Sequence, residues 1–160
     1  MKPSFSTLQS SYYSSNELQR NYVAIDKIYS EIGINYEDLL KQNPAYLNTC
    51  ATRVSLALLK SGVSFVGRLS VKSGRFKGKK IEPGAKLLAD QLKRADVFGM
   101  PEIYNATNFV GNLKGRKGVV FFWKIAGYDG GHVDLIDASS VNIVCSSACY
   151  FQSKETLHNS

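Results

Sequence analysis

The stretch TCATRVSLALLKSG, residues 49–62, predicts the central helix of the fold. Thr49 (or Asn48) is a favourable N-cap residue, and Gly62 is a typical C-terminal stop, so the helix is expected over Cys50–Lys60. One side of this helix is apolar and is expected to be buried: Ala51, Val54, Ala57 and Leu58.

Further helices are predicted on both sides of this segment. Apolar residues spaced four, three, four and three apart predict a helix from residue 15 or 16 to Ile32, with an irregular lead-in over residues 1–14. The side chain of Asn35 could cap a short helix over Tyr36–Gln42, which Pro44 interrupts. Another helix is predicted to open near Pro83, which suits a first turn, and to run to about Arg94.

The C-terminal part of the chain has the pattern of β-strands. Residues 118–125 are rich in β-branched and aromatic side chains, residues 132–137 alternate in polarity, and residues 140–144 are a third candidate strand. The sequence YDGG at 128–131 predicts the turn between the first two strands. Helices followed by an antiparallel sheet predict an α+β architecture, and 160 residues suit a single domain over 1–160.

Composition limits the possible partners. The longest apolar runs are far shorter than the roughly 20 residues of a membrane span, so no membrane span is expected. Twenty Lys and Arg against 13 Asp and Glu give a formal charge of +7, which favours an anionic partner: nucleic acid, anionic lipid or an acidic polymer such as a bacterial cell wall. Six of the cations lie in residues 68–80, a glycine-containing segment that is expected to be an exposed loop or hairpin.

The three cysteines divide into a close pair and a single residue. Cys145 and Cys149 lie four apart, which suggests one short disulfide and leaves Cys50 as a free thiol with a separate role. A zinc site is the rival interpretation, but three cysteines without a nearby histidine make a poor tetrahedral set. The N-terminus has no apolar signal core, so ordinary export is not indicated. The absence of a signal peptide conflicts with a disulfide, which is typical of exported proteins.

Cys50 and His132 form a candidate catalytic pair. Unpaired amides and the dipole at a helix N-terminus stabilise a thiolate at Cys50. Of the two histidines, His158 is expected to be frayed near the C-terminus, whereas His132 begins a strand directly after two glycines that would leave room for substrate. A helix-start cysteine followed by a strand histidine is the papain-like order. Separately, each residue is more often structural than catalytic.

Three sequence motifs add a family resemblance. The segment NTCATRVS, residues 48–55, resembles the Asn-x-Cys-x-x-Arg-x-Ser helix of type VI secretion amidase effectors of the fourth amidase family. GHVDL at 131–135 is similar to the histidine strand of that family, and CSSAC at 145–149 is similar to its Cys-x-x-x-Cys loop, which is disulfide-bonded there. The motifs occur in the family's order over about 100 residues.

The resemblance implies a papain-like cysteine peptidase of the NlpC type that needs no cofactor. Such effectors cleave peptidoglycan stem peptides between D-glutamate and meso-diaminopimelate. The type VI apparatus injects them into the periplasm of rival bacteria, and a cognate immunity protein protects the producer. Carried over by motif, Cys50 is the nucleophile, His132 is the general base, and Cys145 and Cys149 form the disulfide.

The residue that orients His132 is less well defined by the sequence. In relatives an acid within the Cys-x-x-x-Cys loop can take this role, and the matching residue here is Ser147. Asp134 shares the strand face of His132 but lies roughly 6–7 Å along the strand, which is far for direct contact. Asp137 should face the other side, so Ser147 or Asn142 is expected to have better geometry.

Two other functions remain as alternatives. The first is a basic module that binds nucleic acid or another anionic polymer through residues 68–80 without catalysis. Aromatic residues are sparse there and no nucleic-acid motif fits, so nucleic acid is not the expected partner. The second is a housekeeping NlpC-type hydrolase that remodels its own wall, against which the missing export signal and anchoring domain argue.

Overall fold

The computed structural model describes residues 2–105, 107–125, 130–150 and 153–159, and most of its helices lie in the first two thirds of the chain. The helices are α1 (Phe5–Ser11), α2 (Ile25–Glu31), α3 (Tyr36–Gln42), α4 (Cys50–Lys60), α5 (Ala85–Leu92) and α6 (Phe109–Leu113), with a 3₁₀ turn at Pro44–Leu47. Among the described residues, none of the helices combines the length and the apolar character that crossing a bilayer requires.

The strands form two antiparallel sheets. They are β1 (Leu69–Ser70), β2 (Lys80–Ile81), β3 (Glu102–Tyr104), β4 (Lys117–Ile125), β5 (Gly131–Asp137), β6 (Val144–Cys145) and β7 (Ser153–Asn159). β1 pairs with β2, and the larger sheet has the order β3-β7-β4-β5-β6. In the register of the central pair, Phe122 faces His132 and Val120 faces Asp134. The α+β class predicted from the sequence is therefore confirmed.

Helix α4 is the buried centre of the fold. Its bounds agree with the prediction, but its burial is not confined to one side, because every residue from Cys50 to Leu59 is buried. Ala51, Val54, Ala57 and Leu58 belong to the core against β4, β5 and α5. Leu56 and Leu59 belong to a second cluster with α2, α3 and β2. A helix between two apolar layers has to be buried all round, which a one-sided pattern does not predict.

The polar residues of α4 are hydrogen-bonded where they are buried. The Thr52 hydroxyl lies 3.1 Å from the Tyr29 hydroxyl. The Ser55 hydroxyl accepts the Glu82 N–H at 3.0 Å and donates to the Glu82 carbonyl at 3.1 Å. These bonds attach α2 and the segment after β2 to the same helix, at little desolvation cost because each polar group has a partner.

The predicted helix from residue 15 or 16 to Ile32 is wrong over its first half. Only Ile25–Glu31 is helical, and Leu18 is 94% exposed. The cause is Arg53 on α4, whose guanidinium donates to the carbonyls of Ser14 at 2.8 Å and Val23 at 2.7 Å. These bonds hold both ends of the segment in an extended form, so a tertiary contact overrides the local apolar spacing.

The ends of the chain also differ from expectation. The lead-in over residues 1–14 contains α1, and the Ser4 hydroxyl caps it by accepting the Thr7 N–H. His158 is not frayed: it lies in β7, is 1% exposed, and its Nε2 is 3.2 Å from the Lys117 carbonyl. The third strand predicted over residues 140–144 is wrong except at Val144, because β6 is Val144–Cys145 and pairs with Ile136 and Asp137 of β5.

Three local predictions concern the turn at residues 128–131, the basic segment 68–80 and the helix near Pro83. The predicted turn over residues 128–131 lies mostly outside the described residues. The segment 68–80 is a hairpin closed by the β1–β2 pairing, as one of the two expected forms. The helix predicted near Pro83 begins at Ala85, because the Glu82 carboxylate accepts the Gly84 N–H and keeps the preceding residues extended.

Candidate active site

Cys50 is the first residue of α4. Its side chain is a free thiol, and the residue is 7% exposed. The first backbone N–H groups of a helix have no intrahelical acceptor, so they surround this position with positive partial charge. The Cys50 N–H itself lies 3.5 Å from the Asn48 side-chain oxygen, a weak bond that helps to start the helix. The surroundings of the sulfur therefore favour an anion.

His132 lies near the start of β5, and its side chain extends from the sheet to the Cys50 thiol. Its imidazole is packed 6.2 Å from the Phe122 ring in a nearly parallel arrangement, and 4.9 Å from the Tyr150 ring in an edge arrangement. Its Nε2 donates to Asp134 Oδ2 at 2.8 Å. Nδ1 is thereby left as the nitrogen that can meet the thiol, and the imidazole forms a hydrogen bond with the side chain of Cys50.

These contacts determine the charge of the imidazole. Burial lowers the pKa of His132, but its hydrogen bonds with Asp134 and Cys50, together with their negative charge, outweigh burial and raise the pKa from 6.5 to about 9. At neutral pH the imidazole is therefore a cation between two groups that can be anions. This arrangement is suited to hold a thiolate at Cys50 and to supply a proton.

Asp134 is fully buried and accepts several hydrogen bonds besides that of His132. The backbone N–H groups of Leu135, Ser147 and Ala148 all donate to its carboxylate, at 2.8–3.1 Å. The expectation that Asp134 lies too far from His132 is wrong. The 6–7 Å spacing separates the backbones of residues i and i+2, and the two side chains on the same face lean together and close that gap.

The candidates from the C-terminal loop are arranged differently from expectation. The hydroxyl of Ser147 is not directed at the imidazole: it lies 2.7 Å from the Tyr12 hydroxyl and accepts the Ser15 N–H at 3.0 Å. Ser147 reaches the histidine only through its backbone N–H on Asp134. Asn142 is exposed, and its carbonyl accepts from the Ser140 hydroxyl. The geometry thus brings together Cys50, His132 and Asp134.

The loop behind Asp134 is closed by a disulfide. Cys145 and Cys149 are bonded, as predicted, and the two amides that hold Asp134 belong to residues between them. Their thiols are therefore not available as metal ligands. The described residues contain no group of three or more His, Cys, Asp and Glu side chains arranged for a metal ion.

A groove of about 850 Å³ opens over the cluster. Cys50 and His132 lie in its lining, one wall is formed by Pro83, Gly84 and Lys86, and the others include Asn48, Trp123 and Tyr150. Gly131 is required beside the histidine, because a Cβ at this position would come within 2.5 Å of the Phe121 ring. Gly131 was predicted to leave room for substrate, whereas in the structure it leaves room for the Phe121 ring.

Two residues of the site were missed or discounted by the sequence reasoning. Asp134 carried a usable signal, since residues i and i+2 of a strand share a face. Tyr12 carried none: it is 135 residues away from Ser147 in the chain, in a segment expected to be irregular. Burial, followed by the nearby charge of Asp134, raises the pKa of Tyr12 well above 10, so its hydroxyl remains protonated.

Fold and site together define an α+β protein with a cysteine–histidine–aspartate cluster in an open groove. The family model of type VI secretion system amidase effector protein 4 (Tae4) matches residues 46–158. The chain therefore belongs to the Tae4 family of type VI secretion amidase effectors. No curated protein sequence is significantly similar to it.

Solved structures of Tae4 proteins share the fold. The Tae4–Tai4 effector–immunity complex from Enterobacter cloacae matches with a TM-score of 0.70 at 18% identity, over 100% of this chain and 99% of that chain. Tae4 alone from the same organism gives 0.69 at 19% identity, over 100% and 97%. The Tae4–Tai4 complex from Salmonella Typhimurium gives 0.68 at 22% identity, over 99% and 97%.

Proposed function

We propose that this amidase effector is a papain-like cysteine peptidase of the NlpC type, acting as a single catalytic domain. Its reaction is the hydrolysis of the amide bond between D-glutamate and meso-diaminopimelate in peptidoglycan stem peptides. The observation that carries the proposal is the groove in which the Cys50 thiol and the His132 imidazole are hydrogen-bonded and Asp134 holds the imidazole from behind.

The proposed reaction begins with the thiolate of Cys50. In the first step the imidazole of His132, whose pKa is raised to about 9, takes the proton of the Cys50 thiol, which gives a thiolate beside an imidazolium. The sulfur attacks the carbonyl carbon of D-glutamate, and the carbonyl oxygen gains negative charge. The unpaired backbone N–H groups at the start of α4 are the proposed hydrogen-bond donors to this oxyanion.

The second half of the reaction returns the proton. His132 donates its proton to the departing amine of diaminopimelate as the C–N bond breaks, which leaves an acyl-thioester on Cys50. The neutral imidazole then takes a proton from water, the hydroxide attacks the thioester carbonyl, and the C–S bond breaks. Asp134 is the positioning residue: it fixes the tautomer in which Nδ1 faces the sulfur, and its charge favours the imidazolium.

The proposed setting follows from the family and the disulfide. We infer delivery by the type VI apparatus to the periplasm of target bacteria, an oxidising compartment in which Cys145 and Cys149 can remain bonded. An immunity protein of the producer is the proposed partner, because the Enterobacter and Salmonella relatives have been crystallised with Tai4. No cofactor is required by the proposed steps.

The test is mass spectrometry of digested sacculi with the wild type and Cys50→Ala. We expect new N-termini at diaminopimelate with the wild type and none with the variant. Cys50→Ala that cleaves at the wild-type rate would exclude the cysteine mechanism, and cleavage at another bond would exclude the proposed specificity. Retention on nucleic acid without any cleavage would support the binding-module alternative instead.

A further inference from the structure

The net charge of the chain is concentrated in one hairpin. The basic hairpin, residues 68–80, contains six of the 20 Lys and Arg residues and no Asp or Glu. The remaining 14 cations are nearly balanced by 13 acidic residues, so the rest of the chain has a formal charge of only +1. The charge of +7 is thus a property of this hairpin, and not of the surface in general.

The basic hairpin is fixed to the body of the protein. The N–H groups of Lys72 and Ser73 donate to the Ile32 carbonyl at 2.8 and 3.3 Å, and Val71 is buried. The backbone after α2 and the basic hairpin approach so closely that a Cβ on Gly33 would come within 2.6 Å of the Ser73 hydroxyl. The lysines are therefore presented on a defined frame, which lowers the entropy cost of using them for binding.

Four lysines of the basic hairpin are available to a partner. Lys72, Lys77, Lys79 and Lys80 are exposed, and none of them forms an ion pair within the described part of the chain. The other two cations are engaged: Arg68 pairs with the buried carboxylate of Glu82 at 2.7 Å, and Arg75 lies over the Phe76 ring. Like charges held together without counter-charges favour an anionic ligand.

The base of the basic hairpin lies beside the edge of the groove. At its base, Glu82 pairs with Arg68 and accepts the N–H of Gly84, which lines the groove over Cys50. Its other end forms a cleft of about 370 Å³ with Leu56 and Lys60 of α4. At 1.5 Å per residue, this cleft begins about 9 Å along α4 from Cys50 and ends about 15 Å along it.

We propose that the basic hairpin is a second binding surface for the polymer cleaved in the groove, and that it holds carboxylates of neighbouring stem peptides of peptidoglycan. The inference rests on the proposed function for the identity of the polymer. Stem peptides carry free carboxylates and repeat along the wall, so a polymer seated over Cys50 presents further anions within reach of the lysines. The position of the hairpin base beside the groove favours the wall over a membrane surface.

Binding is tested without turnover, in the Cys50→Ala background. The hairpin variant is Lys72→Gln, Lys77→Gln, Lys79→Gln and Lys80→Gln. A matched control removes four exposed cations elsewhere, Arg20→Gln, Lys27→Gln, Lys41→Gln and Lys114→Gln, with the same change in net charge. Affinity for isolated sacculi at low salt is expected to fall roughly tenfold in the hairpin variant, which is at the lower end of what four exposed ion pairs contribute. In the control it is expected to fall less than about twofold.

Turnover gives a second readout in the background with Cys50 intact. The ratio of sacculus hydrolysis to hydrolysis of a single soluble muropeptide is expected to fall about tenfold in the hairpin variant, because a short substrate cannot span both surfaces. Wild-type affinity of the hairpin variant for sacculi, or equal losses in both variants, overturns the proposal. Tighter binding of phosphatidylglycerol vesicles than of sacculi overturns it in favour of a membrane. Absence of hydrolysis by the wild type refutes the proposed function, while the binding assay still tests the hairpin.

Discussion

Replacement of Asp134 by Asn tests whether the charge of this residue sets the charge of His132. The carboxylate accepts hydrogen bonds from the imidazole and from three backbone N–H groups. An amide of the same shape has one acceptor oxygen, so its NH₂ group would face donors. The substitution changes the size of the side chain little, but it removes the negative charge and the acceptor for Nε2.

The expected effect depends on pH. With a pKa of about 9, the imidazole is about 90% protonated at pH 8, whereas at the ordinary value of about 6.5 it would be about 3% protonated. Because Cys50 also contributes to the raised pKa, a return to 6.5 sets the upper limit of the effect. The protonated fraction therefore falls roughly thirtyfold at pH 8 but only about 1.3-fold at pH 6. Since the departing amine needs this proton, the wild-type activity should exceed that of Asp134→Asn by a factor that grows about twentyfold from pH 6 to pH 8.

The assay is kcat/KM on a soluble muropeptide across this pH range, followed by chromatography of the product. Asp137→Asn is the matched control, because Asp137 lies on the same strand but bonds Ser139 instead of the histidine. The ratio of kcat/KM of Asp137→Asn to that of the wild type should be independent of pH. A loss in Asp134→Asn that is equally large at pH 6 and pH 8 would mean that Asp134 acts through shape alone, and the electrostatic reasoning would be refuted.

Three further substitutions test the supports of the site. Arg53→Met removes the guanidinium that donates to the Ser14 and Val23 carbonyls, and we expect the free energy of unfolding in urea to fall by about 3 kcal/mol. Replacing Cys145 and Cys149 by Ala opens a very short loop, which should cost about 2 kcal/mol in the same measurement and lower kcat by releasing the amides behind Asp134. Tyr12→Phe removes the hydroxyl that meets Ser147, and we expect a loss of about 1 kcal/mol in thermal unfolding.

Exposed Lys41→Met is the control for these variants, with an expected change below about 0.5 kcal/mol. Unchanged stability of Arg53→Met would contradict the account of the extended N-terminal segment. Full activity of the cysteine double variant would show that the loop holds its shape without the bond.

The sequence was sufficient for the elements that local patterns control. Helix α4 has an apolar side and a clear stop, and β4 and β5 have strong strand composition, so their bounds were predicted to within a residue or two. The pairing of Cys145 with Cys149 was also predicted, since two cysteines four residues apart have few other partners. In each case the deciding interaction lies within a few residues of the chain.

Features set by distant contacts could not be predicted in the same way. The segment between Ser14 and Val23 forms turns instead of a helix because Arg53, 39 and 30 residues later in the chain, binds the carbonyls at its two ends. The choice between Ser147 and Asp134 depended on the directions of the side chains along β5, and backbone spacing alone gave the wrong answer. Such interactions involve a cationic or hydroxyl side chain whose partner the local sequence does not reveal.

The contact between Tyr12 and Ser147 has a consequence for how the protein acquires activity. It joins residues 135 apart, and Ser14 bonds the Ser146 carbonyl over 132 residues, so the two ends of the chain meet behind the histidine. Contacts of such long range close late in folding, because the loop entropy must be overcome first. A nascent chain that still lacks residues 147 and 148 has no donors for Asp134 from that loop, so we expect no activity before these residues have been synthesised and folded onto Asp134.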